Sequence, residues 1–194
     1  MHQHYQKIVP KEIANKTLNY LEFDVPWHQI QYYSNKAQRN ITTPRFTYVY
    51  GYNSNNKKHY QRKIPEPLRD IFMWVVDTFN YSPNFMLLAK YTLPTHGISF
   101  HSDDENFIVR NSPIVGINLC KNQNQKTKFK LKNKQTKKTE IYELTHRDAY
   151  YMSWMNQRTH QHSIPKSQLY QEPRYGITFR QGNEYAINNY YKYN

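Results

Sequence analysis

The sequence predicts a mainly β, α+β fold, a sandwich or jelly roll with helices packed on its sheet, and three observations carry that reading. From Asn84 onward, short strand-like runs alternate with polar turns at the spacing of such folds. Just upstream, Pro65-Glu66-Pro67 opens a stretch whose apolar residues recur with helical period. The chain has 194 residues, one domain's worth, and a domain of this size buries about 70% of its unfolded surface.

Residues 10–22 carry Ile13, Leu18 and Leu21 at helical spacing. Asp24-Val25-Pro26-Trp27 ends that pattern, because proline disfavours helix at the residue before it. Residues 28–33 and 45–52 read as strands on either side of a polar run, Ser34 to Thr43, and a polar loop follows from Asn53 to Lys58. Leu68, Ile71, Phe72, Val75, Val76 and Phe79 then form one apolar helix face, which predicts packing against a sheet. The strand-like runs beyond it are Phe85–Tyr91, Gly97–His101, Ile114–Leu119, Thr127–Lys132, Glu140–Leu144, Ala149–Trp154 and Tyr175–Arg180. No internal repeat or Gly/Ser linker divides the chain, so residues 1–183 read as one domain, with a helical part over 1–83 and a β core over 84–183. Residues 184–194 read as a polar tail.

Composition narrows the function. The formal charge of +13 points to a polyanionic partner, and by itself it does not separate DNA, RNA and an anionic membrane surface. No run approaches the roughly 18 apolar residues of a membrane helix. The N-terminus lacks an apolar leader, and Cys120 is the sole cysteine, so an intracellular, reducing compartment is expected. Cys120 itself reads as a small buried apolar residue.

The most informative stretch is His101-Ser102-Asp103-Asp104-Glu105, which follows a strand-like run. Residues two apart on a strand share a face, so His101 and Asp103 can close on one metal ion. A second imidazole comes from His162, with His160 a competitor on the same strand face, whereas His146 reads as a hydrogen-bonding residue. Two His and one carboxylate on one side of a metal, with other positions open, describe a non-haem Fe(II) oxygenase site. Arg174 and Arg180 lie six apart on the last strand, an even spacing that keeps both guanidiniums and Thr178 on one face. Such a clamp suits a dicarboxylate, because a buried anion demands a charged and ideally bidentate partner. The order of ligand pair, distal His and trailing Arg pair matches an iron and 2-oxoglutarate site.

On these residues the segment from Tyr91 to Arg180 resembles the AlkB family of Fe(II)/2-oxoglutarate nucleic-acid dealkylases, most of all its double-stranded-DNA-repair branch. The matching pieces are Ser112-Pro113-Ile114, His146-Arg147-Asp148, His162-Ser163-Ile164-Pro165 and Pro173-Arg174-Tyr175-Gly176-Ile177-Thr178-Phe179-Arg180. Upstream, Pro44-Arg45 followed by Tyr50-Gly51 resembles the family's nucleotide-recognition lid, and Val25-Pro26-Trp27 also has a counterpart. The likeness spans roughly residues 5–182.

The resemblance implies a double-stranded β-helix and an oxidative demethylase of N-alkylated bases in DNA, using Fe(II), 2-oxoglutarate and O2. It implies His101, Asp103 and His162 as iron ligands, and Arg174, Arg180, Thr178 and Tyr91 around the co-substrate. Asp104 and Glu105 would face the base. Arg45 would belong to the lid, where Tyr48, Tyr50 and Tyr60 could stack on an extruded base. A monomer in the nucleus or another DNA-containing compartment is the matching expectation, with nucleic acid as partner and no membrane. Relatives usually carry Asn where this chain has Ala89 and Gly176, each a lost polar contact near the co-substrate. A net hydrogen bond contributes roughly 0.5–1.5 kcal/mol, so weaker co-substrate affinity is expected.

The run Lys126-Thr127-Lys128-Phe129-Lys130-Leu131-Lys132 alternates charge with Phe129 and Leu131, which points the lysines to solvent. They read either as a solubilising edge or as a phosphate-tracking stripe. Tyr33 is a candidate base-displacing finger by position alone. Action on RNA or on a protein, and a non-catalytic nucleic-acid binder on the same scaffold, are the competing readings.

Overall fold

The computed structural model describes residues 2–35, 38–51, 63–104, 108–167 and 172–183, apart from the side chains of residues 32 and 34. Glu105, Tyr60, the loop 53–58 and the tail 184–194 lie outside the described residues.

Helix α1 (Lys11–Phe23) and helix α2 (Glu66–Phe79) form where the apolar spacing predicts them. Pro67 sits in the first turn of α2, where its missing N–H costs nothing, and Asn80 closes the helix in the left-handed conformation that asparagine tolerates. Leu21, Leu68, Ile71 and Val75 are fully buried, and each such side chain contributes roughly 1.5–3 kcal/mol of burial.

Among the described residues, the strands form two antiparallel sheets and a hairpin. The larger sheet has the order β1 (His2–Tyr5), β10 (Asp148–Met152), β7 (Ile114–Cys120), β12 (Arg174–Arg180), β5 (Phe85–Tyr91), β4 (Phe46–Gly51). The smaller has the order β6 (Ile98–His101), β11 (His160–Ile164), β8 (Thr127–Asn133), β9 (Thr139–Leu144). Strands β2 (Gln31–Ser34) and β3 (Arg39–Thr42) pair as a separate hairpin. The short helix α3 (Trp154–Thr159) links β10 to β11 and is capped by Ser153 and Asn156 in a reciprocal box.

Alternation along β12 sets the two faces of the larger sheet. Tyr175, Ile177 and Phe179 join Val115, Ile117, Leu119, Met86 and Leu88 in the core beneath α1 and α2. Residues of the other parity, among them Arg174, Thr178 and Arg180, face the smaller sheet, which contributes Phe129 and Leu131 to a second cluster. The space between the sheets therefore holds both charged and apolar side chains.

Three elements differ from the sequence prediction. Strand β1 adds the N-terminus to the larger sheet, with His4 Nε2 2.9 Å from the Asp148 carboxylate. The polar run Ser34 to Thr43 contains β3, whose backbone pairs with β2 although its residues are largely exposed. The run ending at Trp154 stops at Met152, because Ser153 caps α3.

Candidate active site

His101 closes β6 and His162 sits directly opposite it in the register of β11, so strand pairing brings together two residues 61 positions apart. Their ring centroids are 4.2 Å apart. Asp103 lies just past β6, with one carboxylate oxygen 3.6 Å from His101 Nε2 and the other 3.6 Å from His162 Nε2. The ligand atoms of all three fall within 4.8 Å of one another, so a single ion can touch each of them.

The surroundings prepare these groups for a cation. His101 Nδ1 donates to the Ser99 carbonyl at 2.8 Å, which leaves Nε2 unprotonated and aimed at the site. Burial lowers the pKa of both imidazoles, that of His162 to about 3, so both are neutral ligands at physiological pH. Burial opposes ionisation of Asp103, but the charges around it, the Arg180 guanidinium foremost, outweigh it and hold its carboxyl below the ordinary value. Phe129 stacks on His162 at 5.6 Å, and the backbone N–H of Asp103 donates to Gln157 Oε1 at 2.9 Å. A neutral imidazole pair with one carboxylate is the donor set of a 2-His-1-carboxylate iron site, and these residues fit it.

A narrow cavity opens from the triad along the inner face of the larger sheet, lined among others by Tyr91, Thr178, Arg180, Ala89 and Gly176. Arg174 is 1% exposed and packs its guanidinium 3.7 Å from the centre of the Tyr91 ring. Burial pushes the Tyr91 phenol up, yet Arg45 and Arg174 outweigh it and lower its pKa. A phenol under two guanidiniums, with the Thr178 hydroxyl on the same face, is an environment that suits a carboxylate. Gly176 and Ala89 are register partners here, and a Cβ at Gly176 would meet nothing within 4 Å, so the two small residues leave room rather than a filled wall.

Other residues singled out in the sequence divide. Arg45 reaches the site, its guanidinium 3.4 Å from the Tyr91 hydroxyl. Tyr50 does not: it is 7% exposed in the core under the helices, its hydroxyl 2.7 Å from that of Tyr20, and Tyr48 packs on the same side. Arg45 immediately precedes β4 and is five residues from Tyr50, an odd separation that along an extended chain directs the two side chains oppositely, so the lid assignment of Tyr50 is corrected. Arg180 points at Asp103, with one guanidinium nitrogen 2.9 Å from the carboxylate. Asp104, next to the triad's Asp103 in the chain, is exposed and lies 3.5 Å from Lys134 Nζ. His160 starts β11 and contacts Thr159 and Asn133 rather than the triad, and His146 Nδ1 accepts the backbone N–H of Cys120. The lysine stripe is not uniform: Lys126 pairs with Glu143 at 2.9 Å, whereas Lys130 lines a groove beside the site.

A family model described as the 2OG-Fe(II) oxygenase superfamily matches residues 2–180, and the chain belongs to that family. The family's chemistry uses Fe(II), 2-oxoglutarate and O2. More particularly, the chain has the AlkB-type fold of OsALKBH1, with a TM-score of 0.66 at 15% identity over 93% of this chain and 97% of that one. It is also 30% identical over 132 residues, 67% of its length, to replicase protein 1a and to replicase polyprotein 1ab of Grapevine leafroll-associated virus 3 (isolate United States/NY1). It spans only 5% and 4% of those two proteins. Among the described residues, no helix is long and apolar enough to cross a membrane.

Proposed function

We propose that the protein removes methyl groups oxidatively from nucleobase ring nitrogens, with 1-methyladenine and 3-methylcytosine in DNA as its substrates, and that it acts as a monomer. The observation that carries this reading is a shared opening: the cavity holding His101, Asp103 and His162 has Arg45, Ile98 and Ile164 in common with a larger basic groove. An oxidising centre and a surface for a polyanion therefore lie side by side.

In this reading His101, Asp103 and His162 hold Fe(II), and Arg180 keeps the Asp103 carboxylate ionised and oriented. Arg174, with Tyr91 and Thr178, retains the dicarboxylate co-substrate. Iron with 2-oxoglutarate and O2 supplies the oxidation of a C–H bond. Hydroxylation of the N-methyl carbon gives a hemiaminal, which releases formaldehyde and restores the base. The exposed Asp104, next to Asp103 in the chain, attracts these lesions, because both are cationic, and a base that cannot pair costs less to extrude. The likeness to viral replicases supports a polynucleotide substrate, and RNA is the second reading beside DNA.

The test is mass spectrometry of 1-methyladenine and 3-methylcytosine oligonucleotides after incubation with iron, 2-oxoglutarate and ascorbate. Single- and double-stranded DNA and RNA are run in parallel. Loss of the methyl group with the wild type and not with His101→Ala is the expected result. Unchanged masses on every oligonucleotide would abandon the proposal.

A further inference from the structure

The groove beside the active site has a volume of ≈ 620 Å³, within the range of sites that hold small molecules or single residues of a polymer. Its lining comes from the segment between β3 and β4 on one side and from β6, β8 and β11 on the other. Among the described residues, Arg45, Lys130 and Lys166 contribute three cations to that lining, and none of the lining residues is acidic. Among the described residues, neither Lys130 nor Lys166 forms an ion pair, in contrast to Lys126 and Lys134. Apolar surface lies between the cations: Pro44, Pro165 and the Phe100 ring, which is 36% exposed with Lys132 Nζ 5.4 Å from its centre. An exposed aromatic ring flanked by unpaired ammonium groups is how proteins hold a single strand, with a base on the ring and phosphates on the cations.

We infer that this groove binds an unpaired nucleotide flanking the one presented to the triad, its base on Phe100 and its phosphates on Lys130 and Lys166. The occupant is single-stranded, because a cleft of ≈ 620 Å³ has room for a nucleotide or two, and a base is free to stack on Phe100 only when it is unpaired. The inference rests on the polynucleotide reading above and adds to it the strand state and the residues that track the backbone. Lys130 belongs to this track, and Lys126, neutralised by Glu143, does not.

The experiment is fluorescence anisotropy of labelled oligothymidylate as a function of salt, with the full chain. In the double variant K130E/K166E the affinity at low salt falls at least about tenfold, and the slope of log K against log salt becomes shallower by about 1.4, the value for two lost single-strand contacts. Phe100→Ala weakens binding about tenfold and leaves that slope unchanged, because stacking releases no counterions. The control K126E/K138E makes the same charge change outside the groove and keeps the wild-type slope. Thermal melting of each variant verifies the fold. If the wild type binds and the groove variants match it or the control, the groove assignment is overturned while the polynucleotide reading stands. If the wild type does not bind any oligonucleotide, the polynucleotide reading itself fails.

Discussion

Arg180 donates to the carboxylate of Asp103 across 2.9 Å, linking the last strand of the larger sheet to the loop that follows β6. Both side chains are almost fully buried, at 6% and 3% exposure, so the contact is charge-assisted and little screened. It fixes one Asp103 oxygen and leaves the other facing His101, which is the job of an outer partner to a metal ligand. Arg180→Ala should therefore weaken binding of Fe(II), or of Mn(II) as its surrogate, by about 10- to 100-fold. Isothermal titration with the metal measures this directly. Unchanged metal affinity would show that Asp103 needs no such partner.

The sequence carried the inner face of the site better than its rim. Alternation alone separates Arg174, Thr178 and Arg180 from Tyr175, Ile177 and Phe179, and the structure keeps that division. Helix α2 was legible because Leu68, Ile71 and Val75 repeat on one face. Strand β1 was not: His2-Gln3-His4-Tyr5 has no apolar alternation, and its partner in the register is some 150 positions away, His2 opposite Met152. Gln157 was also hidden, because its role depends on a six-residue helix whose only sequence mark is Ser153 followed three residues later by Asn156. Lys166 and Phe100 were missed for a similar reason, since the groove they share exists only once β6 and β11 pair.

Arg174 is 1% exposed and lies against the ring of Tyr91, which lines the cavity, so its charge is one residue removed from that space and little screened. Arg174→Lys should reduce 2-oxoglutarate affinity by about 10-fold or more, in line with loss of one charge-assisted hydrogen bond of about 1.5–3 kcal/mol. Lysine keeps the charge but cannot bind a carboxylate in the bidentate fork. Oligonucleotide affinity should stay near wild type. A drop in that affinity instead would mean that Arg174 serves the polynucleotide and not the co-substrate.

Two glycines on the inner face should respond oppositely. A Cβ at Gly176 meets nothing within 4 Å, whereas a Cβ at Gly116 would lie 2.0 Å from the Tyr150 ring. Gly176→Asn should leave the melting temperature near wild type and tighten 2-oxoglutarate about 2- to 10-fold, the worth of one net hydrogen bond. Gly116→Ala should destabilise the fold by about 1–3 kcal/mol, because the buried Tyr150 ring must be displaced from its packed position. Denaturant titrations of both variants, with co-substrate binding for the first, decide this. If Gly176→Asn weakened binding, the open space would be a requirement rather than a loss.

Cys120 gives the expected pH dependence of stability. It is fully buried on β7, and burial raises its thiol pKa from 9.0 to about 11 in the folded chain. The folded state thus retains the thiol proton over a window in which the unfolded chain has lost it. Stability from this group is complete below pH 9 and is lost as pH rises through the window toward 11. At pH 10 the loss is about 1 kcal/mol, from a shift valued at 1.36 kcal/mol per pKa unit. Urea midpoints at pH 8 and pH 10 should differ accordingly, and Cys120→Ala should shrink the difference by that amount while lowering stability at both. The same burial keeps the thiolate scarce, so a thiol reagent should label Cys120 at pH 8 only as fast as the chain opens. Rapid labelling of the native protein would contradict the buried position and with it the packing of β7 against β12.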